Sequence, residues 1–322
     1  MNIVILDGFA ANPNDFSWEP LEAFGSLTVY DRTKPEEVIA RAKDAEILII
    51  NKIDMTDDVI SNLPKLKYIG ILATGYNNID TESAHRHGIV VCNIPSYSTE
   101  SVVQMTFAHI LNITNQVAHY ASQNRTSGEG GEIKWSKNPD FCYWDTPLPE
   151  IAGKTMGIIG LGHIGMRVAQ VAMAFGLKII AYTSKSESEL PQGIGKATLD
   201  DLLSKSDIVS LHCPLSKDNF HFINANNIAK MKHGAILINT ARGALVDENA
   251  VAEALESGKL GGYGADVMEK EPPCDDNPLL KQPNAYITPH VAWATREARG
   301  RLLDICFANV KAFVQGKPIN KV

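Results

Sequence analysis

Apolar strands alternating with helix-compatible segments in two successive series predict an α/β chain built of two doubly wound parallel-sheet domains with a cleft between them. Three observations carry that expectation. Residues 1–98 hold four short apolar runs separated by polar stretches, and residues 151–290 hold six more. Gly160-Leu-Gly162-His163-Ile164-Gly165 lies between an apolar run and a helical stretch, the place of a βα turn. At 322 residues the chain is long enough for two cores.

In chain order, the first candidate strands are residues 3–6, 47–51, 68–73 and 89–93, and their alternation with polar segments reads as βαβ units. A helical pattern follows from Glu100 to about Ser122, with Ser98 or Thr99 as N-cap and Glu100 in the first turn. Residues 127–131, Ser-Gly-Glu-Gly-Gly, end that pattern. The aromatic-rich stretch from Trp135 to Trp144 has no clear period and reads as an extended arm. The second series places strands at residues 156–160, 179–182, 208–212, 235–239, 263–267 and 286–288. Residues 294–315 then space Leu302, Leu303, Ile305, Phe307, Val310, Phe313 and Val314 as a helix. Lying past the last strand of the second series, this helix is expected to return to the first domain. The domains become residues 1–98 with 291–322, and residues 99–290 with an arm at about 123–150.

Bulk composition excludes several classes. Hydrophobic residues at 44% and charged residues at 21% describe a soluble globular chain. A net charge of −7 argues against nucleic acid as a partner, which would need a basic stripe. There is no apolar run of membrane-spanning length, and the N-terminus lacks a basic leader, so neither a membrane span nor a signal peptide is expected and the chain reads as cytoplasmic. Five cysteines, an odd number without CxxC spacing, fit reduced thiols better than disulfides or zinc. Histidines outside the motifs described below show no metal-ligand spacing, and no metal is expected.

The glycine motif points to a dinucleotide. A bare GxGxxG is weak, but strand, glycine turn and helix in that order suggest a pyrophosphate held on backbone N–H groups at a helix N-terminus, as in the Rossmann fold. One glycine serves the turn, one the close approach of phosphate oxygens, one the helix–strand contact. The alternative is a glycine-rich βα turn with no ligand. The acidic residue expected about 20 positions on, for the ribose 2′-hydroxyl, is missing. The next strand ends in Thr183-Ser184-Lys185, which suits ribose hydroxyls or a 2′-phosphate, so NAD and NADP both remain open.

Three later strands finish in polar residues: Thr240-Ala241-Arg242, Asp266 through Glu271, and Thr288-Pro-His290. In a doubly wound sheet the carboxyl ends of strands face the ligand, so Arg242, Glu271 and His290 can converge. Reducing a 2-keto acid with a nicotinamide needs a proton donor, a cation for the carboxylate, and a group that keeps the donor charged. His290 suits the first task because imidazole titrates near neutrality. Arg242 offers a planar fork for carboxylate and carbonyl oxygens, and Glu271 would hold the far imidazole nitrogen and favour its protonated form. Each has a blander reading, as a surface ion-pair residue, a solvated carboxylate in a charge run, or a core histidine.

Together, the glycine motif, Asn239-Thr-Ala-Arg242-Gly, Asp266-Val followed by Glu271-Pro, and Thr288-Pro-His290 resemble the D-isomer-specific 2-hydroxyacid dehydrogenase family over essentially the whole chain. The resemblance implies that Arg242, Glu271 and His290 are the catalytic set. It implies that Ala73, Thr74 and Gly75 offer backbone N–H groups to the substrate carboxylate. It further implies that Thr106, Cys213, Thr240, Ala241 and Asp266 line the nicotinamide side of the cofactor; His163, by its place inside the glycine turn, is expected to meet the pyrophosphate edge through its backbone. Thr183, where NAD-specific members have Asp, is the main departure.

Within the family, Asn51-Lys52-Ile and Asp140 through Asp145 look most like the glycerate dehydrogenases, also called hydroxypyruvate reductases. Hydroxypyruvate, with glyoxylate as a second substrate, is then the expected keto acid; a D-lactate or branched D-hydroxy acid dehydrogenase is the alternative. Lys52 is expected near the substrate 3-position, the blander reading being a solvated lysine at a strand end. Trp144 is expected at the dimer contact or the substrate pocket, and the family implies a two-fold homodimer gripped through the arm. A rival of another class is a nicotinamide-sensing protein, since C-terminal-binding transcriptional corepressors resemble the same family.

Overall fold

The computed structural model describes residues 1–125 and 133–322; the glycine-rich residues 127–131 fall outside them. The chain divides into two compact units, Met1–Ser98 with Trp293–Val322, and Thr99–Ala292.

The first unit is a five-stranded parallel sheet of β1 (Asn2–Ile5), β2 (Ser26–Val29), β3 (Ile47–Ile50), β4 (Tyr68–Ile71) and β5 (Val90–Cys92), in the order β2-β1-β3-β4-β5. Alternation decides which face each side chain serves. Val4, Leu48, Ile50, Ile69 and Val91 pack against three short helices, α1 (Val38–Ala42), α2 (Asp57–Ser61) and α3 (Thr81–Arg86). Ile3, Ile5, Ile47, Ile49, Tyr68 and Cys92 point the other way, onto Ala298, Leu302, Leu303, Cys306 and Val310 of the C-terminal helix Arg296–Val314. With both faces covered, the strands read as continuous apolar runs. β2 is the exception. Ser26–Val29 is an exposed edge strand, and its lack of a buried face hid it from the sequence.

The second unit opens with α4 (Thr99–Asn115) and α5 (Val117–Gln123). The single helix expected from 100 to about 122 is thus two. Gln116 adopts left-handed φ 49°, and the preceding Asn112-Ile-Thr114-Asn115 run is poor in helix formers. Thr114 spends its hydroxyl on the Ile110 carbonyl, a bond that loosens a helix end.

Seven parallel strands follow: β6 (Thr155–Ile159), β7 (Lys178–Tyr182), β8 (Ile194–Lys196), β9 (Ile208–Leu211), β10 (Ala235–Asn239), β11 (Leu260–Ala265) and β12 (Ala285–Ile287). Their order is β12-β11-β10-β9-β6-β7-β8. The sequence expects six; the seventh, β8, is a three-residue edge strand with only Ile194 buried. Helices α4 and α6 (His163–Ala174) cover one face through Val103, Phe107, Ile110, Val168, Ala169 and Ala172. The other face meets α7 (Leu199–Lys205), α8 (Ala225–Lys230) and α9 (Glu248–Glu256). The order reverses between β6 and β9, the crevice where open α/β sheets bind ligands.

Candidate active site

At that reversal, β6 ends in the glycine turn. Gly160 has φ +93°, and a side chain there would lie 2.6 Å from the Cys213 nitrogen. Gly165, in the first turn of α6, would drive a Cβ to 2.1 Å from the Gly160 carbonyl, so only glycine lets the helix start this close to the strand. Gly162 differs. A Cβ on it meets nothing within 4 Å, and no side chain caps the helix it opens. Backbone N–H groups of His163, Ile164 and Gly165 begin a twelve-residue helix beside that open space, which fits a pyrophosphate.

The neighbouring strand ends complete this edge. After β7, Thr183 Oγ1 accepts from Lys185 N at 3.3 Å, and Lys196 of β8 donates to the Lys185 carbonyl at 2.6 Å. Ser184 lies inside this turn. After β9, Cys213 is half-buried, and burial raises its thiol above the ordinary range, keeping it protonated. Thr240 and Thr106 share a hydroxyl contact of 3.1 Å in which Thr106 donates to Val102, so Thr240 donates to Thr106.

Arg242 follows β10 on a loop that Asn239 folds. The buried Asn239 amide donates to the Arg242 carbonyl at 2.9 Å and accepts from Ala241 N at 3.1 Å. Gly243 then packs so tightly that a Cβ would sit 1.9 Å from the Met268 carbonyl carbon, joining the Arg242 loop to the segment after β11. Arg242 itself turns back, Nη1 donating to the Ala241 carbonyl at 2.7 Å.

On that segment Glu271 accepts from Met268 N through Oε1 at 2.9 Å and meets His290 Nδ1 through Oε2 at 2.6 Å. His290 follows β12, three residues past its end, in the left-handed region, φ +54°, a conformation held against its intrinsic cost. The holder is Asp266. Its carboxylate, 1% exposed, accepts from Thr288 Oγ1 at 2.5 Å, Val291 N at 2.9 Å and Ala292 N at 2.7 Å. Three donors on one buried carboxylate make Asp266 the anchor of the turn that carries His290, a role the sequence does not show.

Of the remaining expected site residues, Ala73, Thr74, Gly75 and Lys52 belong to the first unit. Ala73, Thr74 and Gly75 follow β4 in the first unit, where Thr74 Oγ1 donates to the Ile94 carbonyl at 2.7 Å. Lys52 follows β3 with its side chain exposed; its backbone N donates to Asp7 Oδ2 at 2.6 Å, beside Asn51 N on Oδ1 at 2.7 Å. Burial raises the Asp7 carboxyl against the lowering pull of those amides. Trp144 is 65% exposed in the arm. Sequence reasoning missed Asp7, which binds backbone far from itself in the chain, and Lys196, which lies on an undetected strand; it quoted Asn239 in a motif without its part in folding the Arg242 loop.

Among the described residues, no group of three or more His, Cys, Asp or Glu side chains is placed to hold a metal, and no helix is long and apolar enough to cross a membrane.

Residues 107–292 match the family model of the D-isomer specific 2-hydroxyacid dehydrogenase, NAD binding domain. The chain is 45% identical to the hydroxypyruvate reductase of Blautia hydrogenotrophica, covering 100% of this chain and 99% of that one. It is 42% identical to the glycerate dehydrogenase of Methylorubrum extorquens over 89% and 88% of the two. Among solved structures it resembles the D-lactate dehydrogenase of Aquifex aeolicus complexed with NAD and lactic acid, with a TM-score of 0.82, 32% identity, and 98% and 96% covered. A nicotinamide dinucleotide is the cofactor these matches share with the open helix N-terminus at Gly162. The chain belongs to the D-isomer specific 2-hydroxyacid dehydrogenase family.

Proposed function

We propose that this dehydrogenase reduces hydroxypyruvate, and glyoxylate as a second substrate, to the D-hydroxy acid. The observation that carries the chemistry is the 2.6 Å contact between His290 Nδ1 and Glu271, which leaves Nε2 as the nitrogen to face a substrate. When bound, the dinucleotide supplies the hydride. Arg242 holds the keto acid's carboxylate and polarises its carbonyl. His290 Nε2 donates a proton to the carbonyl oxygen as that oxygen gains charge, and Glu271 steadies the imidazolium beforehand. In oxidation the same nitrogen takes the proton back.

This reading gives the first unit the substrate side: backbone N–H groups of Ala73, Thr74 and Gly75 for the carboxylate, and Lys52 for a 3-hydroxyl. The second unit holds the dinucleotide through Gly160, Gly162, His163, Ile164 and Gly165, with Thr106, Cys213, Thr240, Ala241 and Asp266 around the nicotinamide. Thr183, Ser184 and Lys185, joined by Lys196, take either ribose hydroxyls or a 2′-phosphate, so both NADH and NADPH serve. The 45% identity to a hydroxypyruvate reductase over the full chain supports the substrate. The five free thiols favour a cytoplasmic location.

The test is a panel of 2-keto acids with NADH and NADPH. A site that bonds a 3-hydroxyl should prefer hydroxypyruvate over pyruvate by at least about tenfold in kcat/KM. Equal values, or an optimum on a branched keto acid, would displace the substrate and leave the family standing. His290→Ala should lower kcat by about 10²- to 10⁴-fold while the cofactor still binds. A loss under about tenfold would remove His290 from the role.

A further inference from the structure

His109 lies on α4, is 4% exposed, and matches none of the motifs. Its Nε2 stands 3.3 Å from Thr288 Oγ1. The direction of that bond follows from counting hydrogens. Thr288 has one hydroxyl proton, and its 2.5 Å contact with the acceptor-only Asp266 carboxylate takes it. Thr288 can therefore only accept from His109, which must carry its proton on Nε2. Burial lowers the affinity of His109 for a second proton, so the ring is a neutral donor near pH 7.

A directed chain results: His109 Nε2–H to Thr288, Thr288 O–H to Asp266, and the Asp266 carboxylate receiving Val291 and Ala292 N–H. Its far end is the turn that keeps His290 at positive φ. Two more features fit a purpose-built contact. Gly264 of β11 has no side chain where a Cβ would lie 2.6 Å from His109 Cβ, so the strand admits the ring. One end of α4 grips the same turn independently, Ser101 Oγ donating to the Ala292 carbonyl.

We infer that His109 is a positioning residue for this reaction, holding the His290-bearing turn through Thr288 and Asp266. Buried at 4% exposure, it acts through those two residues and not on the reacting atoms. The inference rests on the reading of His290 as proton donor.

Four variants test it in the full chain: His109→Phe, which fills the volume without a donor; His109→Gln, whose amide nitrogen replaces Nε2; Thr288→Val; and Thr288→Ser. His109→Phe and Thr288→Val should each lower kcat for hydroxypyruvate by about tenfold, the effect of one buried hydrogen bond on a transition state. The Gln and Ser variants should stay within about twofold of wild type, and cofactor affinity, read by NADH fluorescence, should change by less than about twofold in all. In a His290→Ala background, His109→Phe should cost almost nothing further, because both act through one group. Equal losses for Phe and Gln, or a full tenfold loss in the His290→Ala background, would overturn the inference by marking a packing effect. If His109→Phe fails to fold, the Val and Ser pair at Thr288 decides by the same criteria. A fully active His290→Ala would overturn both readings, whereas an active His109→Phe beside an inactive His290→Ala overturns the relay alone.

Discussion

Glu271 is the residue whose loss should separate charge from geometry. Its Oε1 accepts from Met268 N and its Oε2 meets His290, so glutamine can keep the first contact while removing the negative charge beside the imidazole. In Glu271→Gln the imidazole keeps a partner but loses a charged one, so kcat for reduction should fall by about tenfold while cofactor affinity holds; an unchanged kcat would show that the charge is not used. The candidates Arg242, Glu271 and His290 were legible because their types and their places after apolar runs are local facts. Asp266 was legible as a residue but not as an anchor, and His109 not at all. The contact of His109 to Thr288 spans 179 positions, and nothing within either segment announces the other.

Among elements, the two undetected strands share a cause. β2 and β8 are sheet edges, with almost no buried side chains, so the apolar signal that revealed the central strands is absent from them. The sequence pattern places a strand at 263–267, starting three residues late because Gly261 and Gly262 give no strand signal and ending two late because Val267 is apolar; β11 runs Leu260–Ala265, and Asp266 starts the loop. The βα turn at β6 and α6 was legible, as was the crowding at two of its glycines, and Gly162 and Gly165 make opposite forecasts. Gly162→Ala meets open space and should leave the thermal midpoint of the free protein nearly unchanged while weakening dinucleotide binding. Gly165→Ala collides with the Gly160 carbonyl and should lower that midpoint by several degrees, as an overpacking cost of about 1–3 kcal/mol would. Thermal melts with and without NADH check both; equal midpoints for the two free variants would contradict the packing argument.

On the scale of the whole molecule, acid sensitivity and assembly follow from groups the fold buries and leaves bare. Burial lowers both His109 and His212, so the folded chain refuses protons that the unfolded imidazoles accept below about pH 6.5. Stability from these groups is complete above that pH and is lost as pH falls, because the unfolded state then binds more protons. The midpoint should fall between pH 7 and pH 5, and by less in His109→Gln, which cannot titrate there; an identical fall would discharge His109 from the effect. The arm presents the opposite case. Asp145, its carboxyl held below the usual range by Gln123, His119 and Lys134, fastens the segment to α5. Trp135 Nε1 donates to the Phe141 carbonyl at 2.7 Å, ordering the tip. Yet Phe141 is 89% exposed and Trp144 65% exposed, an apolar surface that water covers at a cost and a second copy of the chain would relieve. A two-fold contact counts each side chain twice. Removing one aromatic from it should cost about 2 kcal/mol per copy, or roughly 10³-fold in dimer affinity. Sedimentation should find wild type dimeric at micromolar concentration, with Phe141→Asp and Trp144→Ala shifted toward monomer. A monomeric wild type, or variants that remain dimeric at the same concentration, would show that these aromatics face something other than a second copy.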